Sequence, residues 1–189
     1  MNIGVLAIQG DFAAHKRALS RIGVAAKEVR SPADLGGTDG LIMPGGESTT
    51  MLKFLLEEGM GEAVGAFARG GKPVFGTCAG AILLARAVKN PDQPSLALID
   101  IAVERNAYGR QIDSFIGEAE ASMGGGPLEA VFIRAPRIVE VGPGVETIAS
   151  LRGEPVLVRQ GNILAATFHP ELTHDSRTHK LFIDMAGGS

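Results

Sequence analysis

The chain has 189 residues but only one cysteine, one tyrosine and no tryptophan. A lone thiol cannot close an internal disulfide, which fits a reducing compartment and leaves Cys78 free for chemistry or for packing. Blocks of like charge are absent, and the net charge is only −3. That balance argues against a nucleic-acid footprint or a polybasic membrane patch. No apolar run approaches the roughly 20 residues needed to span a bilayer. The opening MNIGVLAIQGDF lacks a basic leader, and its apolar run is too short for a signal peptide. It reads as a first strand. The expectation is a cytoplasmic protein with residues 1–189 forming one domain.

The first half alternates short apolar runs with helical patterns. Ile3 to Ile8 suits a buried strand, and DFAAHKRALSRIG follows as a helix with Phe12, Leu19 and Ile22 on one face. VAAKEV, DGLIMPGG and KPVFG read as further strands, STTMLKFLLEEGMGEAVGAFARGG as one or two helices, and AGAILLARAV as another helix. This alternation predicts an α/β fold, a three-layer, mostly parallel sheet flanked by helices. From Ala97 to about Val158 the pattern becomes strand-like, with turns at NAYGR, GGGP, GPG and RGEP, which predicts an antiparallel extension. NILAATFHPEL then returns to a buried strand, and DSRTHKLFIDMAG closes as a helix.

Open parallel sheets bind ligands beyond the carboxyl ends of their strands. Four such ends carry polar or glycine-rich loops: Gln9–Gly10–Asp11, PGGEST, GTCAG and HPE. In GTCAG, Cys78 lies between Gly76 and Gly80 on a strand-to-helix turn, the setting of a nucleophile elbow. A buried structural cysteine is the competing reading. His169 follows an apolar strand and supplies a base. Pro170 restricts it to extended backbone, so Glu171, two residues on, points the same way and can orient its ring. The competing reading is a surface histidine at a strand end. His15 and His179 lie on helices and read as solvent-facing. A metal site in HPELTH is disfavoured, because His169 and His174 lack helical spacing and only one thiol is available to join them. The amides of Gly46 and Ala79 can serve as oxyanion donors. Ser48 or Thr49 can also cap the following helix. The loop is no P-loop, since it lacks the Gly-Lys-Ser/Thr ending. Together these pieces describe cysteine acyl transfer.

GTCAG followed much later by HPE resembles the class I (triad) glutamine amidotransferases. GLIMPGGEST, LAIQGDFAAH, VERNAYGRQIDSF, VFIRAP and FHPEL bring the match closer to the glutaminase subunit of pyridoxal 5'-phosphate synthase, from Ile3 to about Phe182. The resemblance implies that Cys78 attacks the side-chain amide of L-glutamine, His169 takes the thiol proton and returns it to departing ammonia, and Glu171 orients His169. It implies further that Gly46, Glu47, Ser48, Arg105, Ile133 and Arg134 line the substrate site. The ammonia passes to a synthase subunit, Gln9 lies at that partner's interface, and no metal or organic cofactor is needed. The PGGES loop is the implied moving part, because a glycine pair flips a peptide cheaply. Another cysteine hydrolase of similar fold, or a non-catalytic α/β binding subunit, remains an alternative. The oriented base argues against the latter.

Overall fold

A computed structural model describes residues 1–105 and 114–187. The predicted turn NAYGR lies outside the described residues. Five parallel strands form one half of a nine-stranded sheet: β1 (Asn2–Leu6), β2 (Ala25–Val29), β3 (Gly40–Met43), β4 (Val74–Thr77) and β12 (Ile163–Ala166), in the order β2-β1-β3-β4-β12. Antiparallel strands continue it: β11 (Glu154–Gln160), β10 (Glu146–Leu151), β7 (Ser114–Ala121) and β8 (Leu128–Ile133). A separate three-stranded sheet joins β5 (Ala85–Lys89), β6 (Ile99–Glu104) and β9 (Arg137–Val141). The helices are α1 (Phe12–Arg21), α2 (Ser48–Glu57), α3 (Met60–Arg69), α4 (Ala79–Leu84) and α5 (Arg177–Gly187).

Strand residues alternate between two cores, as the two-residue side-chain period requires. Leu41 and Met43 join one cluster with Met51, Leu55, Val64 and Ile82 of α2, α3 and α4. Ile42 joins the other, with Leu19 of α1 and Phe182 of α5. Burial on both faces explains why β3 and β4 read as continuous apolar runs. The long helical stretch is two helices, parted at Gly59, whose φ of +68° stops α2 and starts α3.

One stretch departs from the sequence reading. AGAILLARAV is not one helix: α4 stops at Leu84, and Ala85–Lys89 is strand β5. The reason lies across the small sheet. Arg86 bonds Asp100 and Glu140, and Lys89 bonds Glu140, so the charged positions find cross-strand partners that a helix would deny them. Strand β5, which precedes the expected extension, pairs parallel with β6, whereas the strands within the extension pair antiparallel.

Candidate active site

The loops after β1, β3, β4 and β12 meet at one edge of the sheet. They border a cleft of about 460 Å³ lined by Gln9, Gly46, Glu47, Ser48, Cys78, Ala79, Arg105, Ile133, Arg134 and His169. Of the residues assigned catalytic, oxyanion, substrate or partner roles from sequence, only Glu171 is not on its wall; it is buried and bonded to His169.

Cys78 occupies the turn between β4 and α4 at φ +48° and ψ −103°, a conformation that costs a non-glycine residue roughly 1–3 kcal/mol. Its N–H donates to the Ala166 carbonyl at 2.8 Å, and its own carbonyl accepts from Ile82 N–H at 3.2 Å. The backbone is therefore held from both sides of the strained residue. The two glycines serve contact, not flexibility. A Cβ on Gly76 would stand 2.5 Å from the Gly80 carbonyl carbon, and one on Gly80 would stand 2.0 Å from the Met43 carbonyl oxygen. The sulfur reaches the Ile133 carbonyl at 3.9 Å, and Cys78 as a whole is 7% exposed. Access is thus confined to the cleft.

His169 follows β12, and its N–H donates to the Val131 carbonyl at 2.8 Å, tying β8 to this loop although three strands separate β8 from β12 in the sheet. The ring Nδ1–H donates to Glu171 Oε1 at 2.7 Å. The route to that contact differs from the expected extended strand. His169 has φ −106° and ψ 85°, and Pro170–Leu172 form a 3₁₀ turn. The proline opens the turn, and the turn carries the carboxylate back to the ring. Burial opposes charge on His169, but hydrogen bonds to Cys78 and Glu171, with their negative charge, override it and push its pKa up to about 10. Burial also opposes charge on Glu171. The nearby His15 and the His169 hydrogen bond outweigh that and hold the carboxyl below its usual range. A protonated ring beside the sulfur is a proton source for a leaving amine.

The glycine loop is anchored from α1 and its preceding loop. Gln9 Oε1 accepts from Glu47 N–H at 2.8 Å, and the Gly45 carbonyl accepts from Asp11 N–H at 3.3 Å. The Gly46 N–H points away from that carbonyl, since the peptide is planar and trans. The cap of α2 is neither Ser48 nor Thr49 but Glu47, whose carboxylate accepts from Thr49 N–H at 3.1 Å and Thr50 N–H at 2.8 Å. Here the carboxylate accepts two amides at once and places negative charge at the helix start, where the helix dipole favours it. Hydrogen bonds to the side chains of Thr49 and Thr50 depress its pKa to about 2.

Arg105 donates from Nη1 to Gln93 Oε1 at 2.7 Å, and Ser48 Oγ bonds the same oxygen at 3.3 Å. Ile133 and Arg134 sit across the cleft, where Arg134 adopts φ +43°. Sequence reasoning missed Gln93, which carries no motif. It also missed the reason for Gly45: a Cβ there would lie 2.4 Å from His169 Cε1. Gly10 likewise has no room for a side chain, with the Gly45 carbonyl oxygen 1.8 Å from where its Cβ would be.

The expectation that His15 and His179 face solvent is wrong. They are 0% and 1% exposed. Helical spacing held the signal: His15 precedes Ala18 and Leu19 by three and four positions, and His179 precedes Phe182 by three, all buried.

Comparison with known proteins agrees with this geometry. The SNO glutamine amidotransferase family matches residues 5–187. A protein of Koribacter versatilis named pyridoxal 5'-phosphate synthase subunit PdxT is 57% identical over 185 residues, covering 98% of this chain and 95% of the relative. Its namesake in Thermotoga maritima is 53% identical over 186 residues, covering 98% and 99%. A crystal structure described as a glutamine amidotransferase superposes with a TM-score of 0.93 at 51% identity, covering 98% of each chain. PurLQS of Thermotoga maritima shares the fold alone, at TM-score 0.73 and 15% identity over 97% of each chain. A match across nearly the whole length makes this chain a member of the SNO glutamine amidotransferase family.

Proposed function

We propose that residues 1–189 act as one glutaminase domain, the ammonia-producing subunit of a pyridoxal 5'-phosphate synthase, with Cys78, His169 and Glu171 as its triad. The observation that carries this reading is the buried His169–Glu171 pair at 2.7 Å, beside a strained lone thiol that lines the cleft. The Cys78 sulfur adds to the carboxamide carbon of L-glutamine. The thiol proton rests on His169, and the oxyanion meets the amides of Ala79 and Gly46. The tetrahedral adduct collapses as its C–N bond breaks, and His169 gives that proton to the departing nitrogen, releasing ammonia. Water then attacks the thioester carbon as His169 accepts its proton, and the C–S bond breaks, releasing glutamate and returning the Cys78 thiolate beside protonated His169. Glu171 keeps the His169 Nδ1 proton in place, so that Nε2 faces the sulfur. Arg105 offers a guanidinium to the substrate's α-carboxylate.

The ammonia acceptor is a synthase subunit of the kind that the relatives' names imply, and the compartment is the cytoplasm. No described helix is long and apolar enough to cross a membrane. Gln9 faces the partner and grips the Glu47 amide. Docking there releases the glycine loop to turn the Gly46 amide toward the sulfur.

The test is ammonia release from glutamine with and without the synthase subunit. Cys78→Ala should abolish release while the chain stays folded, and a glutamine-directed alkylating analogue should label Cys78 alone. Undiminished release by Cys78→Ala would falsify the triad. Equal rates with and without the partner would sink the docking step. A second reading, a different cysteine hydrolase, would be favoured by failure of the analogue to label even with the partner present.

A further inference from the structure

The triad has a buried continuation that the reaction just described does not use. Glu171 Oε1 is on His169, but Oε2 is buried with no hydrogen bond among the described residues. His15 Nε2 lies 3.3 Å from that oxygen and 3.1 Å from Thr77 Oγ1, the hydroxyl of the residue before the nucleophile. On its other side, His15 Nδ1 meets His179 Nε2 at 3.1 Å.

The 3.3 Å approach to a carboxylate favours one arrangement of the protons. A carboxylate only accepts, so the His15 proton belongs on Nε2, where it faces Glu171 and Thr77. His15 Nδ1 then accepts, and the proton between the two rings belongs to His179 Nε2. Burial favours the neutral form of both rings, pushing the His15 pKa down and that of His179 to about 3. The chain of partners ends on the carboxylate that orients His169.

We propose that His15 is a positioning residue for glutamine hydrolysis: it holds Glu171 Oε2 so that Oε1 stays aligned on His169, and His179 holds His15. The inference rests on the triad reading given above. Its location adds a structural consequence. Asp11, just before α1, holds the Gly45 carbonyl, and His15 stands one turn later, so one helix braces both the oxyanion loop and the acid–base pair.

Three substitutions separate positioning from packing. Gln puts its amide N–H near the place of Nε2, Asn puts its own near Nδ1, and Leu fills volume only. Glutaminase kinetics should be measured with the synthase subunit present. His15→Leu and His15→Asn should lower kcat about 10- to 100-fold with KM within twofold, and His15→Gln should recover most of the loss. Glu171→Gln, run alongside, should lower kcat on the order of 100-fold or more. If Glu171→Gln leaves kcat intact, the triad reading itself fails. If it does not, yet His15→Leu matches the parent, the inference is overturned. Equal activities of His15→Asn and His15→Gln would also overturn it. Where His15→Leu does not fold, the Asn and Gln pair decides. Failure of all three to fold would assign His15 to the core alone and overturn the proposal.

Discussion

Gly80→Ala tests the packing that aims the nucleophile. The added Cβ would stand 2.0 Å from the Met43 carbonyl oxygen and 2.9 Å from its carbon, whereas real Cβ atoms essentially never approach closer than 3.0 Å. Helix α4 must therefore retreat from β3 by at least about 1 Å, and every residue of α4 is buried. Neither partner is a side-chain tip that can swing aside. Overpacking of this kind costs roughly 1–3 kcal/mol, and backbone against backbone belongs at the upper end. Ala returns about 1 kcal/mol of helix propensity. The net loss is then about 2 kcal/mol, a fall in Tm of roughly 4–8 °C for a chain of this size. The same retreat carries Cys78 and the Ala79 amide with it, and a 1 Å misplacement costs on the order of 100-fold in rate. Gly65→Ala is the matched control. It is also buried in a helix, but its Cβ would meet only the Arg69 guanidinium at 3.0 Å, the end of a flexible side chain. That variant should be neutral or more stable by about 0.5–1 kcal/mol. Thermal melts of both variants, with glutaminase rates, make the comparison. A Gly80→Ala protein that melts with the parent at full activity would refute the claim that contact, not flexibility, selects this glycine.

Other outcomes are equally specific. Glu47→Ala should destabilise the chain by about 1 kcal/mol through loss of the α2 cap. The folded-state pKa of Glu47 is depressed to about 2, so its stabilisation is fully present above its unfolded value of 4.5 and lost as pH falls through about 2. Chemical melts should show parent and variant converging toward pH 2, and a constant gap would contradict the cap. Arg105→Ala should raise KM for glutamine by roughly tenfold or more while changing kcat little, if the guanidinium holds the α-carboxylate; steady-state kinetics with an unaltered KM would remove it from the substrate site. The His169 ring should remain protonated through neutral pH and titrate near 10. Cys78→Ala and Glu171→Gln should each lower that midpoint, because each removes a group that raises it; imidazole NMR reads this directly, and a midpoint near 6.5 in the parent would count against the thiol–imidazole pairing.

Much of the site was legible because its parts are local. A strand, a tight turn and a helix start are written in GTCAG, and HPE keeps an imidazole and the carboxylate that bonds it two residues apart. The amphipathic helices and buried strands followed from periodicity. Errors arose where the deciding partner lay far along the chain. Ala85–Lys89 looked helical until Asp100 and Glu140 came beside its cations. Ser48 or Thr49 read as the cap of α2, yet the neighbouring Glu47 carboxylate caps it, while Glu47 also lines the cleft as expected of a substrate-site residue.

The sequence by itself determined the α/β frame and pointed to Cys78 and His169 as the proposed nucleophile and base, since each depends on neighbours within a few residues. Only the tertiary structure decided what surrounds them. His15 and His179 are 164 positions apart, and no local pattern says that their rings meet behind Glu171. Gly10, Gly45 and Gly80 each owe their identity to an atom from a different segment. Side-chain periodicity tells which way a residue faces, but only the packed chain supplies what it faces.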